Sequence, residues 1–183
     1  VGLCGMAENM LSNNSFKVGD IICARNGKTI EIMNTDAEGR LILADLLSYA
    51  SEKECRSIID IATLTGGIVT ALGHGYSGVM GNDASLISHL IDSGKFAGEY
   101  IWELPMIDEY KGLMKGDIGD LRNISKESPG PGVITAGIFL SNFVEQRWAH
   151  IDIGASGWSH KDTEYKKKGG TGHCLRTFVK LLE

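Results

Sequence analysis

No two cysteines stand at metal or redox spacing. The four lie apart at positions 4, 23, 55 and 174, which excludes a zinc ribbon or a CxxC centre and reads as reduced, mostly buried thiols of a reducing compartment. The five histidines, His74, His89, His150, His160 and His173, show no HExxH and no H-x-x-x-H pairing, so no imidazole-built zinc site is expected. His150, entering an apolar run, reads as a satisfied core residue. No Gly-x-Ser-x-Gly elbow occurs, and Gly66-Gly67 is not followed by the Gly-Lys-Ser or Gly-Lys-Thr of a phosphate loop. No apolar run is long enough to span a bilayer and no basic-then-apolar leader precedes Val1, so no membrane partner is expected. Lys and Arg number 18 against 23 Asp and Glu, a net charge of −5, and form no basic stripe, so no nucleic-acid partner is expected either. The one basic run, Lys166-Lys167-Lys168, reads as a solvated loop.

What remains is an ordinary globular composition. With 43% hydrophobic and 22% charged residues over 183 positions, the chain is the size of one domain and can bury a core, consistent with a cytoplasmic enzyme. A start on Val rather than Met reads as a fragment, and Val1 to Met6 as the tail of a strand. Asp20 to Ala24 and Lys28 to Met33 read as strands joined through Asn26-Gly27, the dipeptide of a type I′ hairpin turn. Leu43, Leu46, Leu47 and Ala50 recur at helical spacing with Asp45 and Ser48 off that face, giving a helix over Arg40 to Lys53. Ser57 to Ala62 is the next strand, so the order predicts a βαβ-like unit. Further strands are expected at Tyr76 to Gly81 and Trp148 to Ile153. Helices are expected from a cap at Asp83 or Ser85 to Lys95, over Val133 to Val144, and over Leu175 to Leu182. The fold class is α/β, a mixed, largely parallel sheet flanked by helices.

The chain is organised around Asn34-Thr35-Asp36-Ala37-Glu38-Gly39-Arg40, which sets two carboxylates and a guanidinium on one strand-to-helix connection. Asp36 and Glu38 suit two roles: capping the helix through its orphan N–H groups, or holding a divalent cation with hard oxygen ligands. Arg40 is electrostatically misplaced in a first helical turn, which points to a role beyond helix stability, such as holding an anion. Thr63-Leu64-Thr65-Gly66-Gly67 reads either as a plain turn with a Thr cap or as a ligand-facing edge after a strand. Glu31 and Glu52 are expected to face solvent.

Asn34 to Arg40, continued by Leu41-Ile42-Leu43-Ala44-Asp45, resembles the signature of the leucyl aminopeptidase family of two-metal cytosolic exopeptidases. The resemblance extends to Ala7-Glu8-Asn9-Met10, Gly19-Asp20, Ala62-Thr63-Leu64-Thr65-Gly66, Ala71-Leu72-Gly73 and Trp148-Ala149-His150-Ile151-Asp152-Ile153. Ser125 to Gly132 departs from it, with two prolines where the family has small residues. The resemblance implies that residues 1–183 are the C-terminal portion of a metallo-aminopeptidase catalytic domain. It also implies hydrolysis of the N-terminal residue from peptides with two divalent ions, Zn²⁺ or Mn²⁺.

Asp36 and Glu38 would be metal ligands, Glu38 the better bridge for its length, and Arg40 the catalytic group holding a bicarbonate-like anion. Thr63, Leu64 and Gly66 would meet the peptide backbone, and Gly154 and Gly157 would shape a roomy pocket for its N-terminal side chain, all within one cleft. The family's other ligands, a Lys and two Asp, and its second catalytic Lys would precede Val1, which leaves this chain alone inactive. Family members assemble as hexamers. The alternatives are a truncated, non-catalytic homologue that keeps an oligomer-forming surface, and an unrelated module holding one structural ion on Asp36 and Glu38.

Overall fold

The computed structural model describes every residue from Val1 to Glu183. After an irregular stretch to Leu11 come β1 (Ile21–Cys23), β2 (Thr29–Glu31), α1 (Gly39–Ser51), β3 (Ser57–Ala62) and α2 (Gly67–Leu72). Then follow β4 (Ser77–Gly81), α3 (Ala84–Ala97), β5 (Ile101–Glu103), a 3₁₀ segment Asp108–Met114 and β6 (Leu121–Arg122). The chain closes with α4 (Gly132–Leu140), a 3₁₀ turn Ser141–Phe143, β7 (Arg147–Asp152), the short β8 (Trp158–Ser159) and β9 (Gly169–Gly170), and α5 (Leu175–Leu182). This is an α/β fold with mixed sheets. It divides into two units, residues 1–58 with 107–146, and residues 59–106 with 147–183.

The first unit carries the sheet β1-β2-β6, with β1 antiparallel and β6 parallel to β2. The hairpin at Asn26-Gly27 is real, but it is not type I′. Gly27 N–H donates to the Ala24 carbonyl at 2.8 Å, and Gly27 alone takes a left-handed φ of +86°. A wider turn closed by one glycine replaces the two-residue loop. Helix α1 packs on α4 and the 141–143 turn, and α4 is buried from Thr135 to Leu140, as expected of a helix apolar on every side.

The face α1 buries is not the one its leucines suggest. Arg40, Ala44, Leu47 and Ser48 are the buried residues, with Ser48 Oγ donating to the Ala44 carbonyl at 2.8 Å. A back-bonded serine loses its need for water and can turn inward. Ile42 and Leu46 instead flank Gly5, where an added Cβ would fall 2.7 Å from Ile42 and 2.6 Å from Leu46. The Val1 to Met6 segment forms no strand.

Glu31 is buried rather than solvent-facing. Its carboxylate accepts from the Ile118 N–H, and from the Gly119 N–H at 2.7 Å. Those amide donors, Ile118 first, hold its carboxyl below the usual carboxylate range against the opposing effect of burial. Glu52 does stay half-exposed, paired to Arg25 at 2.7 Å.

The second unit carries the sheet β3-β7-β4-β5, in which β4 runs parallel to β5 and antiparallel to β7. β2 and β3 therefore belong to different sheets, and the expected βαβ-like unit does not form. Both of β2's edges are already taken by β1 and β6. The core gathers Val79, Leu86, Ile87, Leu90, Ile101, Ala149, Ile151 and Cys174, with Phe178 and Leu181 of α5 against it. Helix α3 starts where its cap signal lies, with Asp83 accepting from Leu86 N–H at 2.7 Å, and ends at Gly98 in the left-handed region. His150 is fully buried, and Asp60 accepts from both His150 Nδ1 and Trp148 Nε1 at 2.6 Å.

The four thiols are free, but only Cys174 is buried, its thiol pushed up to about 12 by that burial; Cys4 and Cys23 are exposed. Position 23 sits on a three-residue strand whose burial pattern leaves that side open, so small apolar character does not suffice to bury it.

Candidate functional site

The signature loop follows β2 and turns on its own asparagine, with Asp36 N–H donating to Asn34 Oδ1 at 2.9 Å and Ala37 N–H to the Asn34 carbonyl at 3.3 Å. Glu38 occupies the N-cap position of α1 with helical angles and makes no capping hydrogen bond, and no acid sits in the first turn. The helix-capping role is therefore not the one these carboxylates fill. Asp36 is exposed and Glu38 half-buried, and no hydrogen bond or ion pair within the chain engages either side chain's carboxylate. Hard oxygens left unspent by the fold suit a divalent cation. No group of three or more His, Cys, Asp or Glu side chains gathers in the chain, so Asp36 and Glu38 fit as part of a donor set rather than all of one.

Arg40, the second residue of α1, is only 8% exposed, and its Nη1 donates to the Asn123 carbonyl at 2.8 Å. Asn123 lies just beyond β6, fully buried, and its side chain also reaches the loop. Oδ1 accepts from Met33 N–H at 2.8 Å and Asn34 N–H at 3.3 Å, and Nδ2 donates to the Asn34 carbonyl at 2.6 Å and the Ala37 carbonyl at 3.5 Å. Asp36, Glu38 and Arg40 are thus brought together within the first unit, on a loop sewn to β6.

The other five candidates gather within the second unit, at the ends of β3 and β7. Asp152, fully buried at the end of β7, accepts through Oδ1 from Leu64 N–H at 3.2 Å, Thr65 N–H at 3.5 Å and Gly154 N–H at 3.0 Å. Its Oδ2 accepts from Thr65 Oγ1 at 2.7 Å. One carboxylate so fastens the 63–66 turn to the 152–154 turn. Gly66 stands at the N-cap of α2 with no side-chain cap, so Thr65 serves Asp152 rather than the helix.

Gly154 and Gly157 do not mark open space. A Cβ at Gly154 would lie 2.5 Å from the Thr65 carbonyl oxygen, and one at Gly157 would lie 3.0 Å from the Ile153 carbonyl and 3.2 Å from Thr63 Cγ2. The missing side chains permit close approach of the two turns instead of enlarging a pocket.

Asn123 and Asp152 are the residues sequence reasoning passed over. Asp152 carried a signal, a lone acid in the apolar run Ile151-Asp152-Ile153, where a buried charge must find partners. Asn123 carried none, because its partners lie 83 to 92 residues away.

The catalytic-domain model of the cytosol aminopeptidase family matches residues 1–179. A probable cytosol aminopeptidase of Geobacter sulfurreducens is 47% identical over 184 residues, covering all of this chain and 37% of that protein. The cytosol aminopeptidase of Pseudomonas aeruginosa is 46% identical over 183 residues, covering all of this chain and 36% of its own length. A probable cytosol aminopeptidase of Alkaliphilus oremlandii shares 44% over 184 residues, again the whole chain and 36% of the relative. The chain thus spans little more than a third of the curated relatives it matches. With the signature loop, the fastened 63–66 turn and a match running nearly end to end, the chain belongs to the cytosol aminopeptidase family.

Proposed function

We propose that this chain forms the C-terminal part of a metallo-aminopeptidase catalytic domain, which releases the N-terminal residue from peptides. The observation that carries the reading is the signature loop, whose Asp36 and Glu38 carboxylates are unspent while their backbone is tied down beside a buried arginine. Asp36 and Glu38 would hold divalent ions, Zn²⁺ or Mn²⁺, together with ligands from outside this chain. Bound ions supply Lewis acidity that polarises a scissile carbonyl and makes water a nucleophile at neutral pH.

The chain's own residues do the rest. Arg40, fixed at Nη1 by the Asn123 carbonyl, would hold a small anion such as bicarbonate that receives the proton of the attacking water. Thr63, Leu64 and Gly66 would meet the peptide backbone. Leu64 N–H is already given to Asp152, so the Leu64 carbonyl is the group left to accept from a peptide N–H. Gly154 and Gly157 would flank the N-terminal side chain by keeping their two turns close. The working protein would be a cytoplasmic homo-oligomer, a hexamer as in the family.

The test uses the longer protein that carries this chain. Glu38→Ala is expected to lose bound metal and activity together, since a ligand is removed. Arg40→Ala is expected to keep its metal and lose about 10²- to 10⁴-fold in kcat, the range of a positioned proton-transfer group. Metal content by plasma spectrometry and kcat for each variant check this. A Glu38→Ala enzyme that retains its metal and most of its kcat would overturn the reading.

A further inference from the structure

We propose that Asn123 is the positioning residue of the metal-ligand loop, holding Asp36 and Glu38 in a ligand-ready arrangement before any cation arrives. This rests on the metal-binding reading of those two carboxylates. Six hydrogen bonds carry it, and together they use every polar group of Asn123 on the stretch from Glu31 to Arg40. The backbone N–H donates to the Glu31 carbonyl at 3.0 Å and the carbonyl accepts from Arg40 Nη1 at 2.8 Å. Side-chain Oδ1 takes the amides of Met33 and Asn34, and Nδ2 gives to the carbonyls of Asn34 and Ala37. These backbone groups bracket Asp36 and stop one residue short of Glu38.

The physical need is clear from what the loop lacks. Two carboxylates without internal partners have nothing of their own to fix them, and their mutual repulsion favours spreading. Left free, such a loop would pay its ordering entropy on binding, which lowers affinity. A fully buried amide with four side-chain bonds places that cost in the folding of the protein instead. The roles of Oδ1 and Nδ2 are also chemically distinct, as acceptor from two amides and donor to two carbonyls, and among the side chains of this size only asparagine offers both. Aspartate in its place would face the Asn34 carbonyl, now 2.6 Å from Nδ2, with a second acceptor. The same residue's main chain aims Arg40, so one position sets both the ligands and the guanidinium behind them.

The experiment uses the longer protein with Asn123→Asp, Asn123→Ala and, for reference, Glu38→Ala. Mn²⁺ affinity is measured by calorimetry on metal-stripped protein and folding by circular dichroism. Folded Asn123 variants are expected to bind Mn²⁺ about 10- to 100-fold more weakly, the usual effect of removing an outer support of a metal ligand. A folded Asn123→Ala protein with undiminished affinity would overturn the proposal. If Glu38→Ala too keeps full affinity, the metal-binding reading itself has failed, and the two failures are thereby told apart. Hydrogen exchange on the unmodified, metal-stripped protein gives an answer that no misfolded variant can spoil. The Met33 and Asn34 amides are expected to be protected more than about tenfold over an open loop. Protection that appears only after Mn²⁺ is added would equally overturn the proposal, because the loop would then be ordered by the ion.

Discussion

Asp83 shows how much one side chain can join. It caps α3 through the Leu86 N–H at 2.7 Å, and it takes Arg147 in a two-pronged pair, Nε to Oδ2 at 2.7 Å and Nη2 to Oδ1 at 3.0 Å. The start of a helix and the start of the central strand β7 are thus anchored to the same carboxylate. Arg147 first, and the Leu86 amide second, hold the carboxyl down at about 2 against an ordinary value of 3.8. Because the folded value is the depressed one, the stability Asp83 lends is present above pH about 4 and is lost as pH falls toward about 2. Asp83→Asn keeps an acceptor for the cap but has no charge for Arg147. Its melting temperature is expected to be lower than that of the unaltered chain at neutral pH, with the gap closing between pH 4 and 2. A thermal melt series across that window checks it.

The turns that end β3 and β7 lie against each other through two glycines, and the clearances differ enough to rank them. Gly154→Ala would drive a methyl to 2.5 Å from the Thr65 carbonyl, a backbone atom that cannot swing away. Gly157→Ala would meet Thr63 Cγ2 at 3.2 Å and the Ile153 carbonyl at 3.0 Å, a tight fit that small shifts relieve. Gly154→Ala is therefore expected to destabilise by about 1–3 kcal/mol, the usual cost of overpacking, and Gly157→Ala by less. Urea midpoints measure both, and the reverse order would show the turns to be looser than the structure has them. At this scale much was legible beforehand. Asp83 ahead of an amphipathic run, Gly98 after it, and Gly169 to Gly172 ahead of the last apolar stripe are local signals, and α3 and α5 lie within two residues of where those signals put them. Part of what was hidden depended on partners distant in sequence. Glu31 is expected to face solvent, yet the 117–119 loop, some 87 residues on, covers it and supplies its amides. Ser48 turned inward for a bond within its own helix that the periodicity of leucines does not encode. The signature stretch was visible as a site, while its support at Asn123 was not.

For the molecule as a whole, the count of ligands decides what the chain can do alone. Two carboxylates with no third acid, thiol or imidazole gathered beside them cannot replace the water shell of a divalent ion. The isolated 183-residue chain is expected to bind Mn²⁺ more weakly than about 10⁻⁴ M and to release no amino acid from peptides. Calorimetry and a peptide assay on the isolated chain check this, and tight uptake would reveal ligands not counted above. Asp152 has a further consequence, one of timing. Because a single carboxylate grips both Leu64 and Gly154, neither turn can swing without the other, and their release is one event rather than two. A surface latched in that way is expected to open by local unfolding, when Asp152 gives up its donors, rather than by the nanosecond motion of ordinary loops. A peptide at the proposed 63–66 subsite would then meet a form already set, its arrival governed by encounter rather than by waiting for a gate.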